Sequence, residues 1–221
     1  LIVQQAVDLG IRLIAITDHN ASANIEAVQK AAHGSELTVL PGMELQTREE
    51  VHNLCIFDNL DQVRAFQTWV DARLPNQENR PDFFGDQLVV DENGDFLRRE
   101  PRLLLTSVNT SIEEACAKVH DLDGMFIPAH VNRQAFGLLA NLGMVPAELC
   151  IEGLEISRHL QPADAVRLFP QVKGYPLIRS GDVHRLEEFL GVNYFTMRAP
   201  KVSEMQMAFR SLEKHQLDIY S

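Results

Sequence analysis

Four consecutive apolar residues, Leu13-Ile14-Ala15-Ile16, run straight into Thr17-Asp18-His19. An unbroken apolar run of that length predicts a fully buried strand, with the polar residues marking its carboxyl end. The pattern recurs. Met125 to Ala129 runs into His130, and Leu177-Ile178 leads into Ser180-Gly181-Asp182-Val183-His184; Ile151 to Ile156, interrupted by Glu152 and Glu155, reads as a further strand ahead of Ser157-Arg158. Between these runs the spacing is helical. Apolar residues at 2, 3, 6, 7 and 9 predict a helix stopped by Gly10. Ser22 is placed to cap a helix through about Ala32, and Leu60 to Leu74 reads as an amphipathic helix carrying the only tryptophan, Trp69. Ser111 and Glu114 form a capping box ahead of a helix to Asp121. Leu37 to Leu40 leads into a Pro41-Gly42 turn, then Met43-Glu44-Leu45, and a second extended run from Val51 to Phe57. Short helices at Phe136 to Leu142 and Ala163 to Phe169, a strand from Tyr194 to Met197 and a closing helix from Glu204 complete the chain.

Strands that alternate with helices predict an α/β fold with parallel strands, as a barrel or an open sheet. Residues 75–104 break that rhythm: they are polar and Pro-rich, and Asn93-Gly94 between two apolar runs predicts a β-hairpin. The segment is too short to build its own core, so the expectation is one domain over residues 1–221 with an insertion at about 75–104. A loop of this length inside a domain is placed to serve as a lid or rim that affects substrate choice.

Composition changes the picture only by exclusion. Apolar residues make up 45% and charged residues 23%, ordinary for a globular chain, and no apolar run approaches the length of a membrane span. Cys55, Cys116 and Cys150 have no paired spacing, which suits a reducing, cytoplasmic setting. A net charge of −11 argues against a protein that grips nucleic acid mainly by neutralising phosphates. It leaves room for a small phosphorylated substrate, a nucleotide or a short oligonucleotide, because bound cations would change the field in a cleft. Nothing in the sequence sets the oligomeric state.

The chemistry lies at the strand ends. His19, His130 and the Asp182/His184 pair all follow predicted strands, and in a parallel sheet those ends lie on one side of the molecule. Glu44 and His52 bracket a hairpin or loop, and Asp182 and His184 at i, i+2 share a side if extended. Any one of these histidines is ordinarily structural. Six such residues gathered on one side read as a metal centre, and imidazole with carboxylate suits Zn, Mn or Fe. His33, His120 and His215 read as structural or surface residues, and His159 fits either reading.

The pieces AITDHN, PGMEL followed by VHNL, PAHVNR, and SGDVH followed by Leu190-Gly191 stand in one order along nearly the whole chain. In that order they resemble the PHP (polymerase and histidinol phosphatase) family of metal-dependent phosphoesterases. The resemblance implies a distorted (β/α)7 barrel, a TIM-like form, with up to three divalent metals at the carboxyl ends of its strands. It implies His19, Glu44, His52, His130, Asp182 and His184 as metal ligands, with Asp18 behind them orienting His19 or a water. The family's first motif, a His-x-His at the end of the first strand, has no counterpart here. The expectation is therefore a chain truncated at its amino terminus, lacking the first strand of the barrel, with one metal position (Glu44, His52, His130) complete and the others depleted.

Such metals would turn a bound water into hydroxide near neutral pH and clamp phosphoryl oxygens. Arg133 is the first candidate for a phosphate fork and Arg158 the second, since a planar guanidinium binds phosphate in two places at once. No Ser or Cys nucleophile pattern is present. Three functions follow: a phosphatase of phosphomonoesters or nucleotides; a nuclease on short single-stranded RNA or DNA; or a metal-poor, non-catalytic regulatory module. In the nuclease, Phe83 and Phe84 could stack a base, although anchoring a long loop to the body is the better explanation of those residues.

Overall fold

The computed structural model describes residues 1–220. Helix α1 (Ile2–Asp8) ends at Gly10 as its spacing predicts, and β1 (Leu13–Ile16) follows. Next come α2 (Ile25–Ala31), β2 (Thr38–Gln46) and β3 (His52–Ile56). Helix α2 starts three residues after Ser22, whose hydroxyl caps nothing and instead donates to Gln67 Oε1 at 2.9 Å. Helix α3 (Leu60–Asp71) opens on a reciprocal capping box between Asn59 and Gln62.

Residues 75–104 fold as a short helix α4 (Pro81–Phe84) and the strands β4 (Leu88–Val90) and β5 (Phe96–Arg99), an antiparallel hairpin turning through Asn93-Gly94. Helix α5 (Ile112–His120) carries both halves of the Ser111/Glu114 box. The rest runs β6 (Met125–Pro128), α6 (Leu138–Leu142), β7 (Leu154–Ser157), α7 (Pro162–Leu168), β8 (Leu177–Ser180), β9 (Asn193–Thr196), α8 (Val202–Phe209) and β10 (Gln216–Ile219). No helix among the described residues is long and apolar enough to cross a membrane.

The strand directions correct the parallel reading. The largest sheet has the order β1-β2-β3-β6, with β1 and β2 parallel but β3 antiparallel to both β2 and β6. Only residues 47–51 join β2 to β3, and a parallel return needs a crossover of a dozen residues or more. Three two-stranded pairs complete the strands: parallel β7–β8, and antiparallel β4–β5 and β9–β10. Among the described residues these sheets do not join into a closed barrel.

Pro41-Gly42, expected as a turn, lies inside β2. There the strand changes partners: Thr38 to Pro41 pair with β1, and Gly42 to Gln46 pair with β3. A proline with no N–H is tolerated where one ladder hands over to another. Gly42 is packed so closely that a Cβ would stand 2.8 Å from Thr17 Cγ2 and 3.2 Å from the Cys55 carbonyl.

Two apolar layers flank the large sheet. Phe57, Phe66, Phe126, Met43, Leu45 and Ile112 fill the layer against α3 and α5. Leu40, Ile56, Met125, Ile127 and Ile178 form the opposite layer, which α8 covers through Met205 and Phe209. Strand β1, expected to be fully buried, is only half-buried over Leu13 to Ala15. Its outer edge has no strand beside it among the described residues. A cleft of about 1080 Å³ opens there, between β1 and the stretch from Ile178 through Phe195.

Candidate metal centre

Glu44 stands at the middle of the centre, 6% exposed in β2. Pairing with β3 places His52 beside it, its Nδ1 2.7 Å from Glu44 Oε1. Strand β6 ends next to β3, and His130 Nε2 reaches the same oxygen at 3.2 Å. On the other flank a bridge between His19 and Glu44 extends the β1–β2 pairing, leaving His19 Nδ1 3.9 Å from Glu44 Oε2. Backbone bonds fix that bridge: Glu44 N–H donates to the Asp18 carbonyl at 3.2 Å, and Asn20 N–H donates to the Glu44 carbonyl at 3.0 Å. The imidazole rings of His19 and His52 lie 5.0 Å apart, and those of His52 and His130 5.2 Å.

Burial opposes the charge on Glu44, but hydrogen bonds from His130 and His52 and the nearby His19 outweigh it and hold the carboxyl well below its usual range. Burial also holds His19 below its ordinary value of 6.5, partly offset by Glu44. Donor atoms of His19, Glu44 and His52 all lie within 4.8 Å of one another, close enough to share one ion. His130 Nδ1 is buried without a hydrogen-bond partner among the described residues. Three imidazoles grouped on one ionised carboxylate are the donor set of a divalent transition metal, so the residues present fit such an ion.

Asp182 and His184 sit on the other side of the cleft. The expectation that both project from an extended strand fails, because β8 stops at Ser180 and Asp182 has φ +46°. The chain turns there at Gly181, where a Cβ would stand 2.3 Å from the Glu188 carbonyl. Even so, both residues face the centre. The His184 ring lies 6.0 Å from that of His19, and its Nδ1 lies 3.6 Å from Asp182 Oδ1. The His184 side chain is 62% exposed and that of Asp182 13%.

Both candidate phosphate forks are tied down. Arg133 is ion-paired to Asp182, and Arg158 to Glu188 at 3.0 Å. The Asp18 carboxyl accepts from Asn24 Nδ2 at 3.0 Å; burial raises its pKa, with Asn24 and His19 offsetting part of the rise.

Several contributors were not read from the sequence. Asn24 also accepts from Val90 N–H at 3.1 Å and donates to the Leu88 carbonyl at 3.2 Å, which ties β4 to the Asp18 loop. Asn20, wholly buried, donates to the Leu104 and Thr106 carbonyls at 2.8 Å, anchoring the return of residues 75–104. Phe136 stacks on His52 at 4.5 Å with the planes 6° apart, and its carbonyl accepts His52 N–H at 3.0 Å. Glu155, in β7, lies at the base of the centre, where burial and the charge of Glu44 push its carboxyl up to about 8. A carboxylate between Leu154 and Ile156 in a buried strand was the available signal for it.

No family model and no curated protein matches this sequence. Solved structures do. A lesion-specific endonuclease from Pyrococcus furiosus superposes with a TM-score of 0.69 at 18% identity, over 98% of this chain and 52% of its own. Endonuclease Q, in complex with a 27-mer duplex carrying an abasic lesion at its active site, gives 0.71 at 18% identity, over 97% of this chain and 52% of its own. A protein from Bifidobacterium adolescentis, provisionally described as a metal-dependent phosphoesterase, gives 0.55 at 17% identity over 83% and 81%. The chain thus shares its fold with two endonucleases and with a protein described as a metal-dependent phosphoesterase, and it spans about half the length of the two endonucleases.

Proposed function

We propose that this chain carries the centre of a metal-dependent phosphoester hydrolase, with Glu44, His52, His130 and His19 holding a divalent ion. The observation that carries this reading is the convergence of three imidazoles on the one buried carboxylate of Glu44, at the wall of an open cleft. The ion would be Zn, Mn or Fe, and it would supply an activated water and an electrophile for a phosphoryl oxygen. The protein's own part is placement. Glu44 keeps its charge through the imidazoles around it, His19 stays neutral and ready to ligate, and Phe136 holds the plane of His52. Asp182 and His184 face the same space and are proposed as the weaker side of the centre, with Arg133 supplying positive charge beside them. Residues 75–104 border the cleft through Val90 and are proposed as its rim, acting on substrate choice.

For the substrate, a nucleotide or other phosphomonoester is the first reading. Cleavage of a nucleic-acid strand is the second, favoured by the match of nearly the whole chain to endonucleases, one of them holding a lesion-bearing duplex. The purified protein is expected to hydrolyse a generic phosphodiester or phosphomonoester, stop on chelation, and recover with Mn or Zn. Activity that survives exhaustive chelation overturns the reading. A panel of nucleoside monophosphates against an abasic duplex separates the two substrates.

A further inference from the structure

His130 reaches Glu44 from a backbone conformation that side chains rarely adopt, with φ +31°. A strained residue of this kind persists only where its surroundings over-determine it. Here the surroundings are β7. The His130 N–H donates to Glu155 Oε1 at 3.1 Å, and the next amide, Val131 N–H, donates to the Glu155 carbonyl at 2.9 Å. One residue further on, Asn132 and Ser157 exchange a pair of hydrogen bonds at 3.0 and 2.9 Å. These contacts matter because β6 and β7 belong to different sheets, with no strand ladder between them. The end of β6 is therefore held to β7 by one backbone bond and by side chains, and the group that meets the His130 amide itself is the Glu155 side chain. Its carboxyl is 2% exposed and accepts no guanidinium or ammonium among the described residues, an unfavourable place for a carboxylate unless it has work to do there.

We propose that Glu155 is a positioning residue of the centre, locking the His130 backbone so that the imidazole is aimed at Glu44 and the ion beside it. This rests on the metal reading above and adds a role for a residue that need not touch the ion. The required atom is a carbonyl-type acceptor at Oε1, which Gln keeps and Asn, shorter by one methylene, withdraws.

Three variants of the full chain test it by Co2+ titration in the visible spectrum and by amide exchange of His130 in the metal-free protein. Glu155→Gln should keep Co2+ affinity within about threefold, while Glu155→Asn should lose about 10- to 100-fold, the range for groups that orient a metal ligand. Ser157→Ala, which loosens the same junction away from His130, should stay within about threefold. In the metal-free protein the His130 amide should exchange at least about tenfold faster in Glu155→Asn than in wild type or Glu155→Gln. Equal Co2+ affinity in all variants overturns the proposal. So does equal weakness of the Gln and Asn variants, which would mark Glu155 as a ligand or a needed charge. Wild type that binds no Co2+ while His130 protection still follows Glu155 overturns the metal reading and leaves the backbone lock standing.

Discussion

The centre has two flanks made by different means. Glu44 and His52 sit on neighbouring, hydrogen-bonded strands, with His19 and His130 just past the ends of the strands on either side. Their spacing is that of the ladder, so their donor atoms converge without any help from an ion. Asp182 and His184 leave a two-stranded pair through a left-handed turn, and His184 swings largely into solvent. Asp182 already has a cationic partner in Arg133. Ladder pairing preorganises ligands; a turn beyond a strand end supplies the right residues but not their final arrangement.

The sharpest way to break this contrast is at its centre. Glu44→Gln keeps the shape but removes the charge that three imidazoles address, and metal affinity measured by calorimetry should fall by more than about 100-fold. A loss no greater than that of His184→Ala, expected within about tenfold, would erase the distinction between the flanks.

A smaller effect sharpens it. Arg133→Ala frees Asp182 of its counter-ion, and an unpaired carboxylate attracts a divalent ion more strongly. Affinity for Mn2+ at low salt is then expected to rise about two- to tenfold. A fall would mean that the guanidinium holds Asp182 in place for the ion.

The smallest effect is in pH. Because folded His19 resists protonation relative to its ordinary 6.5, the unfolded chain takes up the proton first, and stability is lost as pH falls through that value. Denaturant melts of metal-free protein at about pH 7.5 and about pH 5.5 should show a steeper loss for wild type than for His19→Asn. Equal slopes would place the acid sensitivity elsewhere.

Local signals in the sequence were readable: the histidines behind apolar runs, both helices that open on Ser111 and near Leu60, and the Asn93-Gly94 hairpin all reflect chemistry within a few residues. What escaped was non-local. Whether β3 runs with or against β2 depends on which strand it finds, and the extended run from Val51 to Phe57 reads the same both ways. Pro41-Gly42 looks like a turn until its two neighbours are known. Strand β10 exists because β9 offers it an edge, and Glu155 matters only because β7 ends against His130. Resemblance to a family supplied the candidate ligands, but it could not show that both arginines would be paired with carboxylates.

The change of partners within β2 makes Gly42 a mechanical fulcrum. It touches Thr17, just before the His19 flank, on one side and Cys55, in the strand that carries His52, on the other. A single added methyl would act there as a wedge, driving β1 and β3 apart and spreading the two imidazoles together. In a mutational scan this position would be as intolerant as a ligand, although it has no functional group at all.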